Sequence, residues 1–289
     1  MRGVALRGFD WAGMKLRIEV PDGIDPVTDW DLPEGLVPVE DDGFREDVRV
    51  SFTEADPSAI RDGTTWFHEG EVFEAGRIGA DHWLRRAEDG RVALADPRFR
   101  FVHVAVPAST RAAGFPLAHP LDDLVLIHRA LQQGAFALRA TAAVRDGEAL
   151  VVLGDTRADC AARDTSLWRG WLLLQPGRRG IRVAPLPSTL RSTRHGQSCR
   201  MARLVGLHVI EPIGGGDAVR VLDRDCAAGE LLRYAFSSIG SPDDADALVE
   251  RAVRIARRVP VVQLQAPGCD RFAWQAHAPS LRAVLPAGA

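Results

Sequence analysis

The chain has 289 residues, 46% hydrophobic and 26% charged, which is the make-up of a soluble globular protein of one large domain or two modest ones. A formal net charge of -3 excludes the global basic field that draws in nucleic acid or an acidic membrane surface. The longest apolar runs, such as Ala149–Gly154 and Trp171–Leu174, are far too short for a membrane-spanning helix.

In chain order, residues 1–105 read as a strand-rich N-terminal portion and 106–289 as an α/β core. Met14–Val20 and Val48–Phe52 alternate apolar and polar residues as strands do, and Thr64–Phe73 mixes aromatics with turn residues. The acidic, Pro- and Gly-rich stretch from Pro21 to Asp47 predicts a long surface loop. Arg91–Ala95 and Phe99–Val106 predict a hairpin about Asp96-Pro97. A helix begins after Pro120, with Asp122 and Asp123 suited to its positive end. Leu124, Ile127, Ala130 and Leu131 form its apolar face, and Gly134 is placed to end it.

Phe136–Val144 and Ala149–Leu153 predict two strands joined by a turn at Asp146-Gly147. The near-continuous apolar character of the second predicts burial on both faces. Gly154–Arg169 reads as a loop leading into a helix and Trp171–Leu174 as a short buried strand. Ile181–Val183 and Leu204–Ile210 form a hairpin-like section, and Ala218–Leu222 alternates like a further strand. Helices are predicted at about 225–237 and 243–258, the second capped by Ser241 with Pro242 just inside. A strand at Val259–Gln265 closes the pattern. Interleaved strands and helices favour an α/β core in this half.

The apolar strand Ala149–Leu153 ending in Gly154 has the form of the entry to a phosphate-binding loop. A working loop continues to a second Gly and then Lys-Ser/Thr. Here Asp155-Thr156-Arg157-Ala158 come next, and Asp159, Cys160 and Ala161 stand where that Gly, Lys and Ser/Thr belong. The surroundings resemble the HPr kinase/phosphorylase family, including HPr-kinase-related proteins of peptide-modification systems. The helix Leu121–Gly134, the strand Phe136–Val144 and the turn Asp146-Gly147 precede the loop as in that family. Gly170–Leu174 resembles the family's next strand, which there ends in metal-associated aspartates and here in Gln175-Pro176-Gly177. Leu207–Pro212, Ala227–Ala235 and Ala256–Leu264 resemble its later strand, helix and closing helix-to-strand step. The likeness covers roughly residues 120–265, by order and spacing more than by intact motifs. It implies a P-loop, HPr-kinase-like core.

The chemistry at these positions argues against nucleotide. Loop glycines let successive N–H groups converge on phosphate oxygens, whereas Arg157 and Asp159 place side chains there. Cys160 supplies no cation. Asp155 and Asp159 would repel a polyanion, each at a cost of roughly 1–4 kcal/mol at about 4 Å. Ala161 lacks the Mg²⁺-holding hydroxyl, and residues 175–177 lack the acidic partner. Arg157 is the one replacement cation at hand. The only lysine, Lys15, lies far away in sequence.

Other constellations are weaker. His195 and Cys199 stand four apart, but structural zinc wants four ligands, and Cys160, Cys199, Cys226 and Cys269 form no CxxC pair. Cys160 near a helix start could be a nucleophile with His128 or His195 as base, although a small filler is the simpler account. Gly214-Gly215-Gly216 reads as a hairpin turn, Asp243, Asp244 and Asp246 as dipole-complementing acids, and the basic stretch Arg191–Arg203 as a solvated face or a contact for an acidic partner. No Gly-x-Ser-x-Gly elbow occurs. Trp168 and Trp171 fall where a kinase has its loop helix and next strand, so their rings could fill nucleotide volume.

Taken together, these residues read as an HPr-kinase-like protein without ATP- and Mg-binding residues, cofactor or metal. It binds a protein or peptide partner, with no nucleic acid or membrane partner and with room for a homo-oligomer. The chain opens without a leader pattern, which makes the reducing cytoplasm the expected setting. The rival is an active enzyme with a rebuilt site, phosphorylating a peptide Ser/Thr or using Cys160 covalently.

Overall fold

The structure is a computed structural model. It describes residues 4–21, 25–26, 30, 32–33, 35–40, 45–56, 65–107, 115–154, 166–191, 201–211, 218–236 and 242–265. The protein is mixed α/β, strand-rich, with two large mixed sheets and few helices among the described residues. The chain divides into two units. The first takes in Met1–Gln133, Leu186–Arg191 and Ser238–Pro242, and the second Gly134–Pro185, Ser192–Ser237 and Asp243–Ala289.

The first unit carries β1 (Val4–Trp11), β2 (Met14–Pro21), β3 (Val37–Val39), β4 (Val48–Glu54), β5 (Thr65–Glu69), β6 (Phe73–Ile78), β7 (Asp81–Arg86), β8 (Val92–Ala95) and β9 (Phe101–Val106). They form a nine-stranded sheet in the order β3-β1-β2-β4-β9-β8-β7-β6-β5. The contacts β2–β4 and β4–β9 are parallel and the rest antiparallel. Alternation sets the buried face: Leu16, Ile18 and Val20 are buried, while Lys15, Arg17 and Glu19 between them are not. β1, β3, β6 and β7 are absent from the sequence reading, and the stretch Pro21–Asp47 is not all surface loop, since β3 pairs with β1 there and Trp30 and Leu36 are buried. β1 folds onto β2 through a two-residue turn at Ala12-Gly13, whose φ of 48° and 83° suit a type I′ hairpin. The predicted β8–β9 hairpin forms, with Asp96 Oδ1 accepting from Phe101 N at 2.8 Å. The unit also carries the helix Leu121–Gln132 and the short helix Pro187–Arg191.

The second unit carries β10 (Phe136–Arg145), β11 (Glu148–Leu153), β12 (Ser166–Gly177), β13 (Gly180–Pro185), β14 (Ala202–Glu211), β15 (Ala218–Val221) and β16 (Val261–Gln265), with the helix Arg224–Arg233 and, from Asp243 on, the helix Pro242–Ala256. The sheet order is β11-β10-β12-β13-β14-β16-β15, and β11 also pairs with β14. That extra pairing closes β10, β11, β14, β13 and β12 into a hydrogen-bonded ring.

Two expectations in the second unit need correction. Residues 166–169 do not lead into a helix but begin the twelve-residue β12, in which Trp168 sits opposite Ala142 and is buried. The strand does not stop at Leu174 either. It runs through Gln175, Pro176 and Gly177, which pair with Arg182, Ile181 and Gly180. Both departures have one cause: β10 and β13 offer paired backbone along the whole length of β12, which outweighs the polar and Pro residues at its ends.

Candidate functional site

Two places hold the residues that bear on function, one in each unit. In the second unit, β11 lies between antiparallel β10 and parallel β14. Ala149, Val151 and Leu153 are fully buried, and Leu150 and Val152 nearly so, as the apolar run predicts. Gly154 comes next with a φ of 110°, and a Cβ there would stand 2.8 Å from the Ile210 carbonyl oxygen. Only glycine fits that conformation and that approach, so the residue is required by the backbone whether or not phosphate is.

The remaining expected site residues, Asp155, Arg157, Asp159, Cys160 and Ala161, lie outside the described residues. So do His195, Cys199, the Gly214–Gly216 turn and Ser241. Trp171 meets Phe236 edge-on at 5.3 Å, within the same unit. Cys226 is exposed at a helix start, where hydrogen bonding to Asp223 holds its thiol above the ordinary range, the opposite of an activated nucleophile. Lys15, in the first unit, is ion-paired with Asp10.

The first unit contains a cluster that sequence spacing does not single out. His119, Asp122 and Asp123 offer one nitrogen and two carboxylate oxygens that all lie within 4.8 Å of one another. His119 Nδ1 stands 3.5 Å from Asp122 Oδ1 and 3.6 Å from Asp123 Oδ2. Both carboxylates are buried, with side chains 2% and 5% exposed, whereas that of His119 is 39% exposed. Asp122 Oδ1 accepts from Asp123 N at 2.8 Å, and Asp123 Oδ1 accepts from Ser188 N at 3.2 Å. Burial, and then the neighbouring Asp122 charge, push Asp123 up to about 6. The sequence places these acids at the positive end of the helix, where they lie, and the structure also buries them.

The segment leading to the helix is clamped by two arginines. Arg86 Nε donates to the His119 carbonyl at 2.7 Å, and Arg91 Nη1 donates to the Phe115 carbonyl at 2.7 Å. Both guanidinium groups also meet Asp89, at 2.6 and 2.8 Å. Further along the helix, His128 stacks on Phe99 with centroids 4.5 Å apart, and Phe99 also meets His82. Burial, with His82 nearby, drives His128 down to about 3, so it is neutral at physiological pH and a poor proton acceptor.

No known protein-family model matches the chain, and no curated protein does. Among the described residues, no helix is long and apolar enough to cross a membrane.

Proposed function

We propose that the protein is a non-catalytic relative of the HPr-kinase-like proteins that binds a protein or peptide, within a peptide-modification pathway. The observation that carries this reading is the placement of β11: a buried strand with a parallel neighbour, β14, that delivers the chain to Gly154. This is the form of strand from which a phosphate-binding loop departs. Beyond Gly154 the sequence has no second Gly, no Lys and no Ser/Thr at the loop positions, which supports a reading without phosphate and Mg²⁺ contacts.

The test is calorimetric titration of ATP and GTP at millimolar Mg²⁺ into the wild type and into Cys160→Lys. Neither protein is expected to bind, because the parts of such a site act together and restoring one recovers little. A micromolar Kd in the wild type would instead favour the rebuilt kinase. Affinity capture with the intact chain as bait then identifies the protein or peptide that travels with it.

A further inference from the structure

The charge of the chain is unevenly spread. From Thr165 to Ile210 there are eight arginines and no Asp, Glu or Lys, although the chain as a whole carries a net charge of -3. At the chain-wide frequency of 39 acids in 289 residues, such a stretch would hold about six. Opposite charge for these arginines has to come from elsewhere in the fold or from outside it.

In the second unit this stretch forms the β12–β13 hairpin and most of β14. Arg178 and Arg179 make the turn between Gly177 and Gly180, and both are exposed. Turns select Gly, Pro, Asn, Asp and Ser for backbone reasons, none of which calls for arginine. Arg182 follows on the solvent face of β13, between the buried Ile181 and Val183. Strand register decides what lies beside it. Directly opposite are Gln175 on β12 and Arg203 on β14, and like charges directly opposite one another destabilise a sheet. Glu148 supplies a carboxylate one strand further on, beyond Arg203, with which it is ion-paired. Among the described residues, no ion pair involves Arg178, Arg179 or Arg182. Arg258 adds a fourth cation beside the turn, where its Nη1 donates to the Gly177 carbonyl at 3.4 Å. A helix C-terminus accounts for Arg258; the other three have no such local reason.

Carboxylate is the anion that suits this surface, since guanidinium forks take it two-pronged. An extended acidic peptide presents carboxylates on one side at intervals of about 7 Å, so one short segment can meet several of these cations. Single-stranded nucleic acid wants aromatic platforms for its bases, and residues 175–182 contain no aromatic. An interfacial membrane contact wants apolar side chains beside the cations, and Ile181 is buried.

We propose that Arg178, Arg179, Arg182 and Arg258 form a docking surface for an Asp/Glu-rich segment of the protein or peptide that this chain binds. This surface rests on the binding role proposed above and names the chemistry of the partner.

The experiment uses the full chain and, as probe, a fluorescein-labelled peptide of about ten glutamates, read by fluorescence anisotropy. The proteins compared are the wild type, the triple variant Arg178→Ser, Arg179→Ser, Arg182→Ser, and Arg233→Ser on a helix of the same unit. The wild type and Arg233→Ser are expected to bind alike, and the triple variant roughly 10-fold or more weakly. Raising sodium chloride from about 50 to about 500 mM should weaken the wild type by a similar factor, because exposed charges are screened. Should the triple variant misfold, Arg178→Ser with Arg179→Ser, confined to the turn, decides in its place. No binding by the wild type, or equal binding by the triple variant, overturns the proposal. So does tighter binding of an oligothymidylate of equal charge or of phosphatidylserine vesicles. The binding role itself is judged separately. Micromolar ATP affinity in the wild type tells against that role whatever the peptide does. A captured partner that holds the triple variant as firmly as the wild type removes this surface and leaves the role intact.

Discussion

Val151 in the second unit and Asp123 in the first are both almost wholly withdrawn from solvent, at 0% and 4% exposure, for opposite reasons. Val151 is buried because apolar area leaves water when β10 and β14 pair on either side of its strand. Asp123 is buried although its charge opposes it, and fixed polar groups surround it: the Ser188 N–H, the Asp122 carboxylate and the His119 imidazole. The first kind of burial is non-directional and tolerates change in proportion to volume. The second depends on particular atoms at particular distances, and there a single loss leaves a charge or carbonyl stranded.

The largest effect is therefore expected at the polar clamp of the first unit. Arg91→Met removes a buried guanidinium from Asp89 and from the Phe115 carbonyl, and is expected to cost about 3–5 kcal/mol in urea unfolding. A loss below about 1 kcal/mol would mean that the clamp is ornamental and the contrast false. In the second unit, Leu153→Ala is expected to cost about 3 kcal/mol by the same measurement, through lost burial and the cavity left behind. Its cost should follow residue volume across Val, Ala and Gly. A polar substitution tolerated as well as Ala would show that β11 is not covered on both faces.

The buried histidine sharpens the comparison through pH. His128 sits near 3 in the folded protein and near its ordinary value of 6.5 when unfolded, so the unfolded chain takes up the proton first as pH falls. Stability from this residue is complete above the unfolded pKa and is lost as pH drops below it, about 2 kcal/mol between pH 7 and pH 5. His128→Leu should flatten the dependence of Tm on pH over that window, and an unchanged slope would place the proton uptake elsewhere. The smallest effect is expected at an exposed cap. Asp223 accepts from Asp225 N and Cys226 N at 3.1 and 2.9 Å. Asp223→Ala should lower Tm less than any change above, with Asp223→Asn close to wild type.

What could be read in advance divides along the same line. The hairpin of β10 and β11 was legible because an apolar run, a two-residue turn at Asp146-Gly147 and a second apolar run are local signals. The Leu121–Gln132 helix was legible from its apolar spacing and the Gly134 stop. β12 was read too short because Ser166–Arg169 and Gln175–Gly177 carry no strand pattern of their own; only β10 and β13 make them strand. The acids at 122 and 123 were legible as first-turn residues but their burial was not, since an exposed and a buried first turn have the same local sequence. Ser188, 65 residues on, and Arg86, which holds His119 from 33 residues before it, give no sign in the sequence that they meet there.

By itself, the amino-acid sequence determined the positions of most described strands and helices and the buried character of β11. These stem from periodicity and residue type, which act over a few neighbours. Tertiary structure alone decided the ring closed by the β11–β14 pairing, the full length of β12 and the burial of Asp122 and Asp123 beside a partly exposed His119. Backbone hydrogen bonds between distant strands, and the desolvation of charged groups, depend on partners far apart in the chain. Their energies exist only once folding has brought those partners within a few ångströms.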